Sequence, residues 1–232
     1  MRKYEIANTL ARRFKYSSYL EICTANTGHT FAKVNKQQFP QRMRLMYRCP
    51  RDFSDGQPID FRAESEPGEE VFADVMNCGR TFDFVFVDSW HTYESSLRDI
   101  VFALRLVNDH GVVMIHDCNP PTSAYARPEF HAEGWCGVTF AAYIDVTRSV
   151  KGISYITVDS DMGCGIISKN RRFADHFNLG CNAAMDAPWR ALDLSQKYQF
   201  LAGNRSQLLN LISPKELLRR LGNESKKAIP AA

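Results

Sequence analysis

Two apolar runs in this chain end on a carboxylate with an imidazole close by. FDFVFVDSWH ends its run on Asp88 and places His91 three residues on, and GVVMIHDCN runs out into His116, Asp117, Cys118 and Asn119. A third run, SSYLEICTA, carries Glu21 inside it, followed by Cys23 and Thr24. An acid in an apolar run has no partner unless a ligand or a backbone amide supplies one. Carboxylates and imidazoles take up and release protons, so proton transfer beside a bound polar ligand is the chemistry these positions offer. Each has a bland alternative. Asp88 would cap the helix that follows it, and His91 would pack on Trp90 or Tyr93. His116 would point to the face opposite Asp117, because strand residues alternate.

The elements that must position these residues follow from periodicity. TFDFVFVD is a continuous apolar run of strand length, and HTYESSLRDIVFALRLVND repeats apolar residues at helical spacing through Leu97, Ile100, Val101, Leu104 and Val107. GVVMIHDC is the next strand. A strand, a helix and a strand make a right-handed crossover, so the two strands run parallel, about 4.8 Å apart when adjacent. Asp88 and Asp117 then converge in the crevice beyond the carboxyl ends of the sheet, where open α/β folds bind ligands.

Upstream, MRKYEIANTLARRF reads as an amphipathic helix through Ile6, Leu10 and Phe14. SSYLEICTA is a strand, and NTGHTFAKV a Gly-containing turn leading into a helix. RMRLMYRC is a second strand, stopped by Pro50, and IDFRAE a short third, followed by a helix to about Asn77. Downstream, WCGVTFAAYIDVTRSV supplies a helix whose Trp135 opening is either pocket wall or packing. SYITVDS and MGCGIISK, joined around Asp161, form an antiparallel pair because their link is so short. PWRALDLSQKYQFLAG, NRSQLLNLI and SPKELLRRL are helical in pattern, the last with a capping box at Ser213–Glu216. The expected architecture is a doubly wound, seven-stranded, mostly parallel α/β sheet with a C-terminal antiparallel hairpin and extra helices at both ends.

With 232 residues, of which 44% are hydrophobic, one domain with embellishments is expected. Residues 1–169 would form it, 170–222 a helical extension covering a face, making a lid or a homodimer contact, and 223–232 a disordered tail. A balance of 29 basic to 26 acidic residues without long single-sign runs offers no footprint for nucleic acid. The seven cysteines are odd in number, widely spaced and without a CxxC pair, which suits a reducing cytoplasm. No apolar run approaches the roughly 20 residues that cross a bilayer, so no membrane partner is expected.

YLEICTANTG, FDFVFVDSWHTYESSLRDI and GVVMIHDCNPP resemble the first, fourth-strand and fifth-strand motifs of class I S-adenosylmethionine-dependent methyltransferases, in their small-molecule O-methyltransferase branch. The resemblance covers roughly residues 1–169. Catechol, caffeoyl-CoA and macrolide-sugar enzymes are the nearest types, the last sharing the His-Asp pair after the fifth strand. It implies S-adenosylmethionine as cofactor, bound near Glu21, Cys23, Thr24, Gly28, Asp60, Asp88 and Ser89, and a small-molecule hydroxyl as substrate. It also implies a divalent ion such as Mg²⁺ on Asp88 and Asp117, with Asn119 as the candidate third ligand and His91 or His116 as base. The chain departs from the pattern in three places: Cys23 stands where glycine is usual, the second strand lacks its terminal acid, and Cys118 occupies the place of the catechol type's amide. Taken at face value, the altered glycine motif implies an inactive methyltransferase fold that binds a ligand or a partner.

Overall fold

The computed structural model describes residues 1–26, 30–67, 69–177 and 182–222. Gly28 and the 223–232 tail therefore lie outside the described residues. The elements in chain order are α1 (Lys3–Phe14), β1 (Ser18–Thr24), β2 (Gln41–Tyr47), β3 (Phe61–Arg62), α2 (Glu69–Asn77), β4 (Phe82–Asp88), α3 (Tyr93–Leu106) and β5 (Val107–Ile115). There follow α4 (Thr139–Ser149), β6 (Ser154–Val158), β7 (Cys164–Ser168), α5 (Arg171–His176), α6 (Asp186–Arg190), α7 (Leu194–Leu209), β8 (Leu211–Ile212) and α8 (Pro214–Gly222). The strands form one sheet in the order β3-β2-β1-β4-β5-β7-β6-β8. Only β7 runs against its neighbours.

β1 and β4, two adjacent inner strands, are buried along their whole length, which is why they read as largely apolar runs. Their alternate residues feed two cores. One holds Leu20, Ile22, Val85 and Val87 with side chains of α3, α4 and α7. The other holds Tyr19, Phe84 and Phe86 with Ile6 and Leu10 of α1, Phe173 of α5 and Leu217 of α8. The amphipathic first helix thus docks its Ile6 and Leu10 stripe onto the sheet, and α7 buries Leu201, Leu208 and Leu209 in the other layer.

Two segments differ from the sequence reading. The helix expected over NTGHTFAKV does not form among the described residues, and 30–40 make turns instead. The Thr30 carbonyl accepts from Lys33 and Val34 in a single turn, the Asn35 side chain then accepts the backbone N–H of Gln37 and starts another, and Phe31 and Phe39 pack on Tyr19. The segment NRSQLLNLI extends α7 and then changes state. Asn210 takes the left-handed conformation that ends helices, at φ 47°, and Leu211–Ile212 pair with the open edge of β6 as an eighth strand.

Candidate active site

Asp88 is the last residue of β4 and lies between Cys23 of β1 and the end of β5. It does not cap α3: the N-cap is Thr92, whose hydroxyl accepts the N–H of Ser95. β5 stops at Ile115, and Asp117 takes a left-handed φ of 60°. The next two backbone N–H groups bond to Gly163 and Met162 in the β6–β7 turn. Strand alternation therefore ends before His116, and the turn brings His116 and Asp117 to one side. This corrects the expectation that they would face apart.

The result is a compact group of acids and imidazoles. His91 Nε2 is 3.4 Å from Asp88 Oδ1 and 3.1 Å from Asp117 Oδ2. His116 Nδ1 is 3.5 Å from Asp88 Oδ1 and 3.1 Å from Asp117 Oδ2. His91 is fixed from behind. Its Nδ1–H donates to the Trp135 carbonyl at 2.8 Å, and its own carbonyl accepts from Val138. Gly137 makes that approach feasible: its φ is 56°, and a Cβ there would sit 2.0 Å from the His91 carbonyl oxygen.

A cation the strand-end rule did not find completes the cluster. Lys3 Nζ, from the first turn of α1, donates to Asp88 Oδ2 at 2.6 Å. Burial raises the Asp88 carboxyl, but Lys3 and His116 outweigh it and hold the group well below the usual range. Burial opposes the charge of His116 too, yet Asp117 and Asp88 push its pKa up to about 10. The direction of that shift favours the charged ring, which lies between the two carboxylates. The pKa of His91 is also raised, by Asp117 and Asp88 acting against burial. A cavity of about 240 Å³ opens over these groups, with Asn26, Tyr125, Trp135, Cys136 and Met162 on its walls.

The remaining candidates scatter. Glu21 is fully buried below the strand end, where burial above all pushes its carboxyl up to about 8; Tyr19 donates to Oε2 at 2.6 Å, while Oε1 has no hydrogen-bond partner among the described residues. Cys23 Sγ turns toward the Leu45 carbonyl in a small apolar group with Met46 and Cys49. Thr24 is buried at the end of β1. The Ser89 hydroxyl interacts with Asp99. Asp60 accepts the backbone N–H of Arg44 at 2.8 Å and so stitches β2 to the sheet edge. Asn119 is not in the cluster: its amide nitrogen donates to Asp159 at 2.9 Å and its oxygen accepts from Arg205. At the end of β2, where an acid would be usual, Tyr47 stands and donates to Asp99 at 2.8 Å.

A family profile described as a methyltransferase domain matches residues 5–118, from within α1 to just past Asp117. No curated protein matches the chain in sequence. Among solved structures, the chain is similar to the O-methyltransferase TomG from Streptomyces achromogenes, involved in tomaymycin synthesis and crystallised with S-adenosylmethionine. The identity is 14%, covering 72% of this chain and 78% of that one, with a TM-score of 0.52. It is also similar to cofactor-bound Rv0187 from MTB at 15% identity, covering 72% and 79%, with a TM-score of 0.52. At such identities the structures establish a shared fold, and the methyltransferase-domain profile is similar to this chain over residues 5–118.

Proposed function

We propose that this protein transfers a methyl group from S-adenosylmethionine to a hydroxyl of a small molecule. The observation that carries the reading is the meeting of Asp88, His91, His116 and Asp117 at the crevice end of β4 and β5, within a methyltransferase domain. When bound, the cofactor supplies a methyl carbon on a sulfonium, which the acceptor oxygen takes as its C–O bond forms and the C–S bond breaks, the electron pair staying on sulfur. Glu21 Oε1, which has no hydrogen-bond partner among the described residues, fits such a guest, since a buried oxygen without a donor is costly and a polar ligand group can supply one.

The chain's own groups divide the remaining work. His91 takes the hydroxyl proton at Nε2 while Nδ1–H stays on the Trp135 carbonyl, and the two carboxylates stabilise the imidazolium that results. Trp135 and Tyr125 wall the cavity and keep water from the reacting atoms. A divalent ion is the finer part of the proposal. Asp88, His116 and Asp117 offer donor atoms within 4.8 Å of one another, and carboxylate oxygens suit Mg²⁺. Held there, the ion would lower the hydroxyl pKa. The Lys3–Asp88 ion pair favours a second reading without the ion.

A cytoplasmic site of action belongs to the same proposal. No helix among the described residues is long and apolar enough to cross a membrane, and the described cysteines are free thiols. Radiolabelled S-adenosylmethionine incubated with the protein and a panel of phenols, catechols and sugars tests the activity. Label in an acceptor is expected. Absence of transfer to every acceptor, with no cofactor binding, would favour a fold that only binds a partner or ligand.

A further inference from the structure

The cluster carries its own positive charge, and the fold delivers it with care. Lys3 is four-fifths buried, its ammonium 2.6 Å from a carboxylate that is 1% exposed and 5.8 Å from the centre of the Phe86 ring. Its backbone is gripped by the β6–β7 turn. Lys3 N–H donates to Asp161 Oδ2 at 2.8 Å, the Arg2 guanidinium reaches Asp161 Oδ1 at 3.3 Å, and the Ser160 hydroxyl donates to the Met1 carbonyl. That turn is stiff: Asp161, Met162 and Gly163 all have positive φ, at 53°, 64° and 87°. It is also braced on the strand that carries Asp117, because a Cβ on Gly163 would lie 2.4 Å from the Asn119 backbone nitrogen. Lys3 and both carboxylates therefore share one rigid frame.

We propose that Lys3 is the resident cation of the site: with α1 docked, its ammonium holds Asp88 Oδ2 against a divalent ion and faces the acceptor oxygen in that ion's place. The assignment rests on reading the cluster as the methyl-transfer site. Asp88 Oδ1 already faces His91 and His116, and Asp117 Oδ2 faces the same two rings, so an ion that bridges the two acids through Asp88 Oδ2 must contest that oxygen with Lys3. Mg²⁺ binds carboxylate oxygen at about 2.1 Å and demands near-octahedral room with several waters. An ammonium on the same oxygen leaves neither the room nor a tolerable separation of positive charges. The acceptor this arrangement suits is a single acidic hydroxyl, whose developing negative charge a point cation can hold, rather than a vicinal diol that needs a metal to chelate it.

Titration of the full chain with Mn²⁺, without S-adenosylmethionine and followed by calorimetry and by the electron paramagnetic resonance of free Mn²⁺, tests the assignment. Lys3→Met should bind Mn²⁺ at least about tenfold more tightly than the wild type, while Lys3→Arg, which keeps a cation, should behave as the wild type does. Equal affinity in wild type and Lys3→Met would overturn it. So would sub-millimolar Mn²⁺ binding by the wild type, a result that does not depend on either variant folding. A companion titration of the wild type with S-adenosylmethionine keeps the two ideas separable. If the cofactor fails to bind while the Mn²⁺ order holds, the methyl-transfer reading falls and the placement of Lys3 on Asp88 stands.

Discussion

Strand β4 carries a buried aspartate near each end, and the two are satisfied in opposite ways. Asp83, near the start, accepts from the backbone N–H groups of Ser17 and Ser18 at 2.8 and 3.1 Å, the Ser17 hydroxyl at 3.0 Å, the Asn108 amide at 2.8 Å and His110 at 3.0 Å. Its partners are mostly fixed groups at the starts of β1 and β5, so it ties the register of three strands together. Asp88, at the finish, faces Lys3, His91 and His116, all of them side chains that titrate. A carboxylate held mainly by backbone amides and neutral side-chain donors is structure, because apart from the exposed His110 nothing it touches can change charge. One held by an ammonium and two imidazoles above a cavity is equipped for chemistry.

The contrast breaks most sharply at Asp88. Asp88→Asn keeps the volume and removes the charge, and methyl transfer per folded molecule should fall by about 10³-fold; the buried Lys3 ammonium loses its partner, so the thermal midpoint should fall as well, and steady-state rates and calorimetry on the same samples check both halves. Asp83→Ala should cost stability alone. It strands two buried N–H groups and should cost about 3 kcal/mol in urea unfolding, with transfer per folded molecule within about twofold of wild type.

Acid should separate the two ends as well. Burial pushes the Asp83 carboxyl up, but the hydrogen bonds from Ser17, Asn108 and Ser18 overcome it and hold the pKa at about 2. A depressed folded pKa contributes stability above the unfolded value of about 4, and the contribution is lost as pH falls towards 2. Wild-type urea midpoints should therefore drop through that window, and those of Asp83→Asn should lack this component. The smallest effect belongs to His110, whose side chain is 68% exposed. His110→Gln should change unfolding stability by less than about 0.5 kcal/mol, as a solvent-screened contact does.

Much of this was legible in the sequence because it depends on local pattern. The runs ending at Asp88 and Ile115 announce two strands, the Leu97 to Leu104 spacing announces the crossover helix, and together they place Asp88 and Asp117 side by side. Three features were not legible, for physical reasons. Lys3 reaches the site only because Ile6 and Leu10 dock α1 across the sheet, a tertiary event that no spacing near Lys3 records. The left-handed turn at Asp117 is set by the Gly163 and Met162 carbonyls, 45 residues away, so alternation misplaced His116. Asn119 looked like a ligand by adjacency, but its amide is taken by Asp159 and by Arg205 from a helix almost ninety residues later. Asp60 is likewise engaged by a tertiary partner the local sequence does not record, the backbone N–H of Arg44 on the neighbouring strand.

The central claim is that the Asp88 end of β4 is where a methyl donor binds and reacts. Calorimetric titration with S-adenosylmethionine, with and without Mg²⁺, on the wild type and on Asp88→Asn tests it most directly. The account predicts saturable one-to-one binding to the wild type, weakened at least about tenfold when the carboxylate at the end of β4 is neutralised. No binding to the wild type under either condition, or equal binding to both proteins, would contradict it.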